Sequence, residues 1–248
     1  LLKKIIYPSS KFEARPSEVR PDLVVLHYTD MLTAEEALTR LCDLEAKVSC
    51  HFLISKEGDL YQLVDPKYRA WHAGVSSWQG AGNINCRSIG IELDNPGHTH
   101  GLKPFPAPQI EALLILLKEI TKTYNIPAHH IVGHSDVAPL RKKDPGELFP
   151  WHKLAQKGFG LWPLTLPINQ ALSLDPLRIQ KALSQIGYEC PKTGTWDEDS
   201  QEVCRAFQRH FIPHELTGHP SVLVGQTLKG LLRKLEIISR HLSNCKSA

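Results

Sequence analysis

The sequence predicts an α/β protein, a mixed central sheet flanked by helices, followed by a small all-α unit of three helices. Three observations lead there. Two near-continuous apolar runs of strand length, "DLVVLHY" (22–28) and "SIGIELDN" (88–95), have the pattern of strands buried on both faces. Helical periodicity alternates with such runs up to about residue 160. Beyond about residue 173 only helical patterns remain.

Each element has its own signal. After the first strand, "TAEEALTRLCDL" places Thr33 three residues before Glu36, a capping box, with Ala37, Leu38, Leu41 and Leu44 at helical spacing. "HFLISKEGDLYQLV" is two β-rich runs around a Lys-Glu-Gly-Asp turn, a hairpin. "APQIEALLILLKEITKTYNI" is the clearest helix, opened by Pro108 in its first turn and stopped before Pro127. "HIVGH" (130–134) adds a short strand. The segment 161–173 has two Leu-rich scraps around Pro167 and no periodic element, as a linker would. The helical patterns "PLRIQKALSQIGY", "SQEVCRAFQRHF" and "VGQTLKGLLRKLEIISRHL" follow. The expected organisation is therefore a domain at 1–160, a linker at 161–173 and a helical domain at 174–248.

Composition excludes several classes of function. A net charge of +3 over 248 residues, with both signs dispersed and no basic run interleaved with aromatics, argues against nucleic acid. The longest apolar stretch, "IEALLILLKEI", is short and carries Glu111, Lys118 and Glu119, so no transmembrane segment is expected. The chain opens on "LLKKIIYPSS" without Met and is read as lacking its natural start, so that any signal or lipid-anchor segment would lie upstream. Six cysteines (42, 50, 86, 190, 204, 245) form no CxxC pair and read as small buried hydrophobes, which sets thiolate zinc sites aside.

Among thirteen histidines, His27 and His134 differ from the rest because each ends an apolar strand run, where an unpartnered imidazole is costly. Asp144 adds a carboxylate on a loop braced by Pro139 and Pro145. Two imidazoles and one carboxylate suit Zn²⁺ and leave a fourth tetrahedral position open, the mark of a catalytic site. An ion so held lowers the pKa of a bound water toward about 7 and polarises a carbonyl. Glu92, ending its own strand, is the candidate base, and Lys142, two residues before Asp144, the candidate oxyanion stabiliser. Arg141 and Lys143 read as solvated charges. The rival pairs His98/His100 and His129/His130 lack a third ligand nearby or point to opposite faces.

The motifs "VVLHYT", "VSCHFLISKEGDLYQLV", "AWHAGVSSWQG", "SIGIELDNPG", "IVGHSDVAPLRKKDPG" and "LFPWHKLA", in that order, resemble the zinc-dependent N-acetylmuramoyl-L-alanine amidases of the amidase-2 family, which shares its fold with T7-type lysozyme and the peptidoglycan recognition proteins. The terminal helical unit, with "TGTWDE" and "VCRAFQRHF", resembles a peptidoglycan-binding domain and points to the AmiD-type subgroup. The loop "FIPHELTGHPSVLVGQT" departs from the commonest pattern of that domain. The resemblance implies one Zn²⁺ per chain on His27, His134 and Asp144, with Glu92 and Lys142 catalytic. It also implies Trp71, His72 and Asn95 in the substrate groove, with His51 near the site.

The implied reaction is hydrolysis of the amide between the lactyl group of N-acetylmuramic acid and L-alanine. Peptidoglycan or muropeptide fragments are the expected partners, the protein acting as a periplasmic monomer, with outer-membrane lipoprotein anchoring through an upstream segment as a further expectation. Two other functions fit the same residues: a catalytically silent recognition module, or a metallopeptidase cutting within the stem peptide.

Overall fold

The structure, a computed structural model, describes residues 4–246. Ten strands are assigned among the described residues: β1 (Lys4–Ile6), β2 (Phe12–Ala14), β3 (Leu23–Tyr28), β4 (Phe52–Ile54), β5 (Leu60–Gln62), β6 (Tyr68–Ala70), β7 (Ser77–Trp78), β8 (Ala81–Gly82), β9 (Ser88–Leu93) and β10 (Ile131–Gly133). Six of them form one sheet in the order β1-β5-β4-β9-β3-β10. Only β4 and β5 pair antiparallel there, the expected hairpin, and the other neighbours run parallel. The sheet is thus mixed, and its two apolar strands, β3 and β9, lie side by side near its centre. Strands β2, β6, β7 and β8 pair outside this sheet and have no clear sequence signal, being two or three residues long.

The helices are α1 (Ala34–Cys42), α2 (Ile84–Arg87), α3 (Gly97–His100), α4 (Ala107–Tyr124), α5 (His134–Val137), α6 (Trp151–Gln156), α7 (Pro176–Ile186), α8 (Glu198–Phe211) and α9 (Val222–Lys246). The expected capping box of α1 forms only in part. Thr33 accepts from the Glu36 N–H, but the Glu36 carboxylate accepts from Leu32 N–H instead of closing back on Thr33. The helix stops at Cys42, leaving Leu44 68% exposed rather than on the buried stripe. Helix α4 ends at Tyr124 because Asn125 turns left-handed at φ 54° and returns its N–H to Thr121.

Strand alternation divides the core. Val24, Leu26, Ile89, Ile91 and Leu93 point to one face and pack with Ile110, Leu113, Leu116, Leu117 and Ile120 of α4. On the other face, Leu53 meets Ala37, Leu38 and Leu41 of α1, while Leu23, Val25 and Val132 pack with Ile179, Leu183, Phe207 and Val224 of α7, α8 and α9. The C-terminal helices therefore share one hydrophobic cluster with the sheet. The segment 161–173 runs along α9, where Gly225 permits a backbone approach that a Cβ, 2.7 Å from Leu172 O, would block. The cysteines at 42, 50, 86, 190 and 204 are free thiols, and the Cys245 side chain lies outside the described residues.

Candidate active site

The parallel pairing of β3 with β9 sets His27 opposite Glu92, so both side chains leave the same face at the C-terminal ends of adjacent strands. Strand β10 lies on the far side of β3, and His134 follows its last residue, opening α5. Asp144 closes the group from the next loop, its carbonyl accepting from Ser135 N–H at 2.9 Å. The Nδ1 atoms of His27 and His134 and Oδ2 of Asp144 stand 3.0 Å from one another, all three residues being buried.

The Ile84 carbonyl can only accept, so the Ser88 hydroxyl donates to it at 2.6 Å and must itself accept from His72 Nε2–H at 3.1 Å. His72 Nδ1 then accepts from His27 Nε2–H at 3.0 Å, which leaves a bare lone pair on His27 Nδ1. His134 Nε2–H donates to the Ala73 carbonyl at 3.0 Å, leaving its Nδ1 bare as well. Burial, followed by the neighbouring His134, lowers the His27 pKa to about 4, and burial with His27 and His51 nearby holds His72 well below the usual imidazole range.

Three electron pairs without a proton thus converge on one point. That arrangement repels itself unless a cation sits among the donors, and two imidazole nitrogens with one carboxylate oxygen are a donor set that zinc accepts. These residues form a group that could hold a metal ion, and the fit is a physical one.

Beside the triangle is a cavity of about 440 Å³ lined by His27, His72, Glu92, His134, Lys142 and Asp144, with Arg40 and Leu41 of α1 forming its wall. A second hollow of about 780 Å³ adjoins it, bordered by Lys11, Lys47, Arg69, Trp71, Arg141 and Lys142. Glu92 is 9% exposed, and its Oε2 has no hydrogen-bond partner among the described residues. Burial, then the charge of Asp144, raises its pKa well above the ordinary carboxylate range.

The other expected residues are placed as follows. Trp71 borders the second hollow, and its N–H is held by Ser49 Oγ at 2.9 Å. His72 reaches both cavities from a position that is 94% covered, between His27 and Ser88. His51 is fully buried beneath it: Gly90 N–H donates to His51 Nδ1 at 2.9 Å, and His51 Nε2–H donates to Tyr68 O at 3.1 Å. Asn95, 2% exposed, spends its amide inside its own loop, donating to Lys103 O and accepting from Gly97 N–H. His51 and Asn95 therefore brace the walls and do not face the groove.

Arg141, read from sequence as a solvated charge, donates to Ala73 O at 2.8 Å and to Val75 O at 2.6 Å, tying the Asp144 loop to the strip that also receives His134. Nothing local in "LRKKD" distinguishes it from Lys143, because its partners are carbonyls more than sixty residues away.

A mixed sheet carrying a buried His-His-Asp group at its strand ends defines the class as an α/β protein with a candidate metal site. The comparisons place it more narrowly. The family model for N-acetylmuramoyl-L-alanine amidase, Amidase_2, matches residues 17–147. N-acetylmuramoyl-L-alanine amidase AmiD of Escherichia coli K12 is 36% identical over 242 residues, 90% of this chain and 86% of that protein. Its structure with the substrate anhydro-N-acetylmuramic acid-L-Ala-D-gamma-Glu-L-Lys has a TM-score of 0.79 at 34% identity, covering 90% of this chain and 92% of that one. AmpDh3 of Pseudomonas aeruginosa, in complex with anhydromuramic pentapeptide, has a TM-score of 0.80 at 30% identity, covering 89% of this chain and 95% of that one. The 1,6-anhydro-N-acetylmuramyl-L-alanine amidase AmpD of E. coli K12 is 36% identical over 161 residues, 58% of this chain and 86% of that protein. The chain belongs to the Amidase_2 family of N-acetylmuramoyl-L-alanine amidases.

Proposed function

We propose that this protein hydrolyses the amide joining the lactyl group of N-acetylmuramic acid to the L-alanine of peptidoglycan stem peptides, 1,6-anhydro-muramyl peptides included, with one Zn²⁺ held by His27, His134 and Asp144. The convergence of three bare electron pairs at the cavity wall supports the metal. Zinc bound there would supply a Lewis acid for the scissile carbonyl and lower the pKa of a coordinated water.

The remaining work falls to the chain. Glu92, desolvated and without a hydrogen-bond partner on Oε2, takes up the proton lost by the attacking water and returns it to the leaving amine. Its raised pKa brings it closer to neutral pH, where it can both take and give a proton. Lys142 lines both cavities and offers an ammonium to the oxyanion that develops on the carbonyl. Lys11 and Lys47 on the border of the second hollow suit the carboxylates of a stem peptide, whereas Arg69 there is paired with Glu13 at 3.0 Å. A periplasmic setting belongs to the same proposal, since peptidoglycan lies outside the cytoplasmic membrane; no helix of the described residues is long and apolar enough to cross one. For the helices after residue 173 we favour a buttressing role over glycan capture, because their apolar side chains are spent in the cluster shared with Leu23, Val25 and Val132.

Mass spectrometry of muropeptides digested by the purified protein tests the reading. Intact stem peptides with a free L-alanine amino terminus are the expected product, along with about one zinc per chain. Peptides cut only internally would replace the amidase by a metallopeptidase, and an unchanged digest with substrate still bound would leave a recognition module.

A further inference from the structure

Two residues beyond His134, Asp136 is 1% exposed and carries three hydrogen bonds. One is local: its Oδ2 accepts from Gly133 N–H at 2.7 Å, fixing the first turn of α5, on which His134 stands. The other two come from the C-terminal helical unit. Tyr188, just after α7, donates its hydroxyl to Oδ1 at 2.6 Å, and His210 of α8 donates Nδ1–H to Oδ2 at 2.8 Å. The sequence separations are 52 and 74 residues, so these are tertiary contacts and not caps.

The His210 ring stacks on Trp151 at 3.8 Å between centroids, and its Nε2 is buried with no hydrogen-bond partner among the described residues. An apolar ring would fill that stack without burying a bare nitrogen, so what the imidazole adds is the Nδ1–H directed at Asp136. The preceding residue, Arg209, stands 3.6 Å from Glu147, three residues past Asp144. One turn of α8 therefore touches both segments that flank His134 and Asp144, and those segments are joined to each other through Ser135 N–H and Asp144 O.

We propose that Tyr188 and His210 are positioning residues for the metal centre: through Asp136 the C-terminal helices hold the His134 turn in register with Asp144, so that the helical unit is part of the catalytic apparatus. The inference rests on reading His134 and Asp144 as metal ligands. Neither Tyr188 nor His210 lines the two cavities beside the site, so their effect reaches the reaction only through the loop they hold.

The full chain, loaded with zinc, carries the test. Tyr188→Phe and His210→Phe keep their rings in the core and remove one donor each from Asp136. Each is expected to weaken zinc about tenfold in competition with a chromophoric chelator, within the 10- to 100-fold range typical of outer-shell partners. Each should also lower kcat on a muropeptide with KM unchanged. His210→Asn returns a donor near the Nδ1 position and should recover most of the zinc affinity although it loses the stack on Trp151. If both Phe variants keep wild-type zinc affinity and kcat, changing only the melting temperature, the helices are simply packed there and the inference falls. His134→Ala is the control: should it retain zinc, the ligand reading itself fails, and the inference with it.

Discussion

The His72 ring occupies the space that Gly90 leaves open: a Cβ at position 90 would lie 2.4 Å from His72 Cγ. The imidazole thus lies against the backbone of β9, between His27 on one side and Ser88 on the other. Gly90→Ala is expected to displace the ring and break its bond to His27 Nε2–H. Overpacking of this kind costs about 1–3 kcal/mol, read by thermal melting of the metal-free protein. Zinc affinity should fall with it, whereas an unchanged zinc titration would mean that His27 does not depend on His72 for its orientation.

Glu92→Gln keeps shape and removes the charge. Zinc should stay bound, and kcat should fall about 10²- to 10⁴-fold, the usual worth of a general base. Because the folded state raises the Glu92 pKa, that state binds the proton more tightly than the unfolded chain does. The wild-type carboxyl therefore favours folding below its unfolded pKa, and this contribution is lost as pH rises through the folded value. The Gln variant should accordingly melt higher than wild type at pH 7. For catalysis the ionised form is needed, so wild-type kcat/KM should decline on the acid side at a pH above the ordinary Glu value of about 4.3.

His51 gives a prediction about acid. Burial, then the adjacent Arg15 guanidinium, lowers its pKa to about 3, against about 6.5 in an unfolded chain. Between those values the unfolded state carries a proton that the folded state refuses, so stability rises with pH by about 1.4 kcal/mol per unit from this group alone. The contribution is complete above pH 6.5 and is lost as pH falls toward 3. Melting of the metal-free protein should follow that slope, and His51→Gln should flatten it; an equal slope in the variant would place the acid sensitivity elsewhere.

Arg141→Lys should behave much like Arg141→Ala. A single ammonium cannot reproduce a guanidinium that bonds Ala73 O and Val75 O together. Both variants are expected to weaken zinc several-fold by loosening the Asp144 loop, and full affinity in the Lys variant would show that charge, not the fork, matters.

Much of this site could be read from one dimension because its residues end strands. His27, Glu92 and His134 each close an apolar run, and parallel pairing of those runs brings them together without further information. What sequence reading missed depends on partners chosen by the tertiary fold. Arg141 looks like its neighbours until the 73–75 carbonyls come into place. Asn95 reads as a groove residue because its motif adjoins the site, yet burial makes it, with His51, a support for the walls. The composition of 161–173 reads as a linker, but the cluster joining Leu23 and Val25 to Phe207 has no signature in that stretch, since a change in composition does not say how closely the flanking segments pack.

The alternation along β3 and β9 has a consequence for how this chain can vary. Val24, Leu26, Ile89, Ile91 and Leu93 answer only to volume and apolarity against α4, and such positions tolerate exchange among aliphatics at modest cost. One residue away, His27, Ser88 and Gly90 are each committed to a particular atom of another side chain or to the space it occupies, and Glu92 faces the cavity. Strand β9 thus offers drift on one face and almost none on the other, whereas on the second face of β3 the constraint begins only at His27, beyond the apolar Leu23 and Val25. A saturation library over 88–93 would show this as a stripe of period two, and one over 23–28 would not.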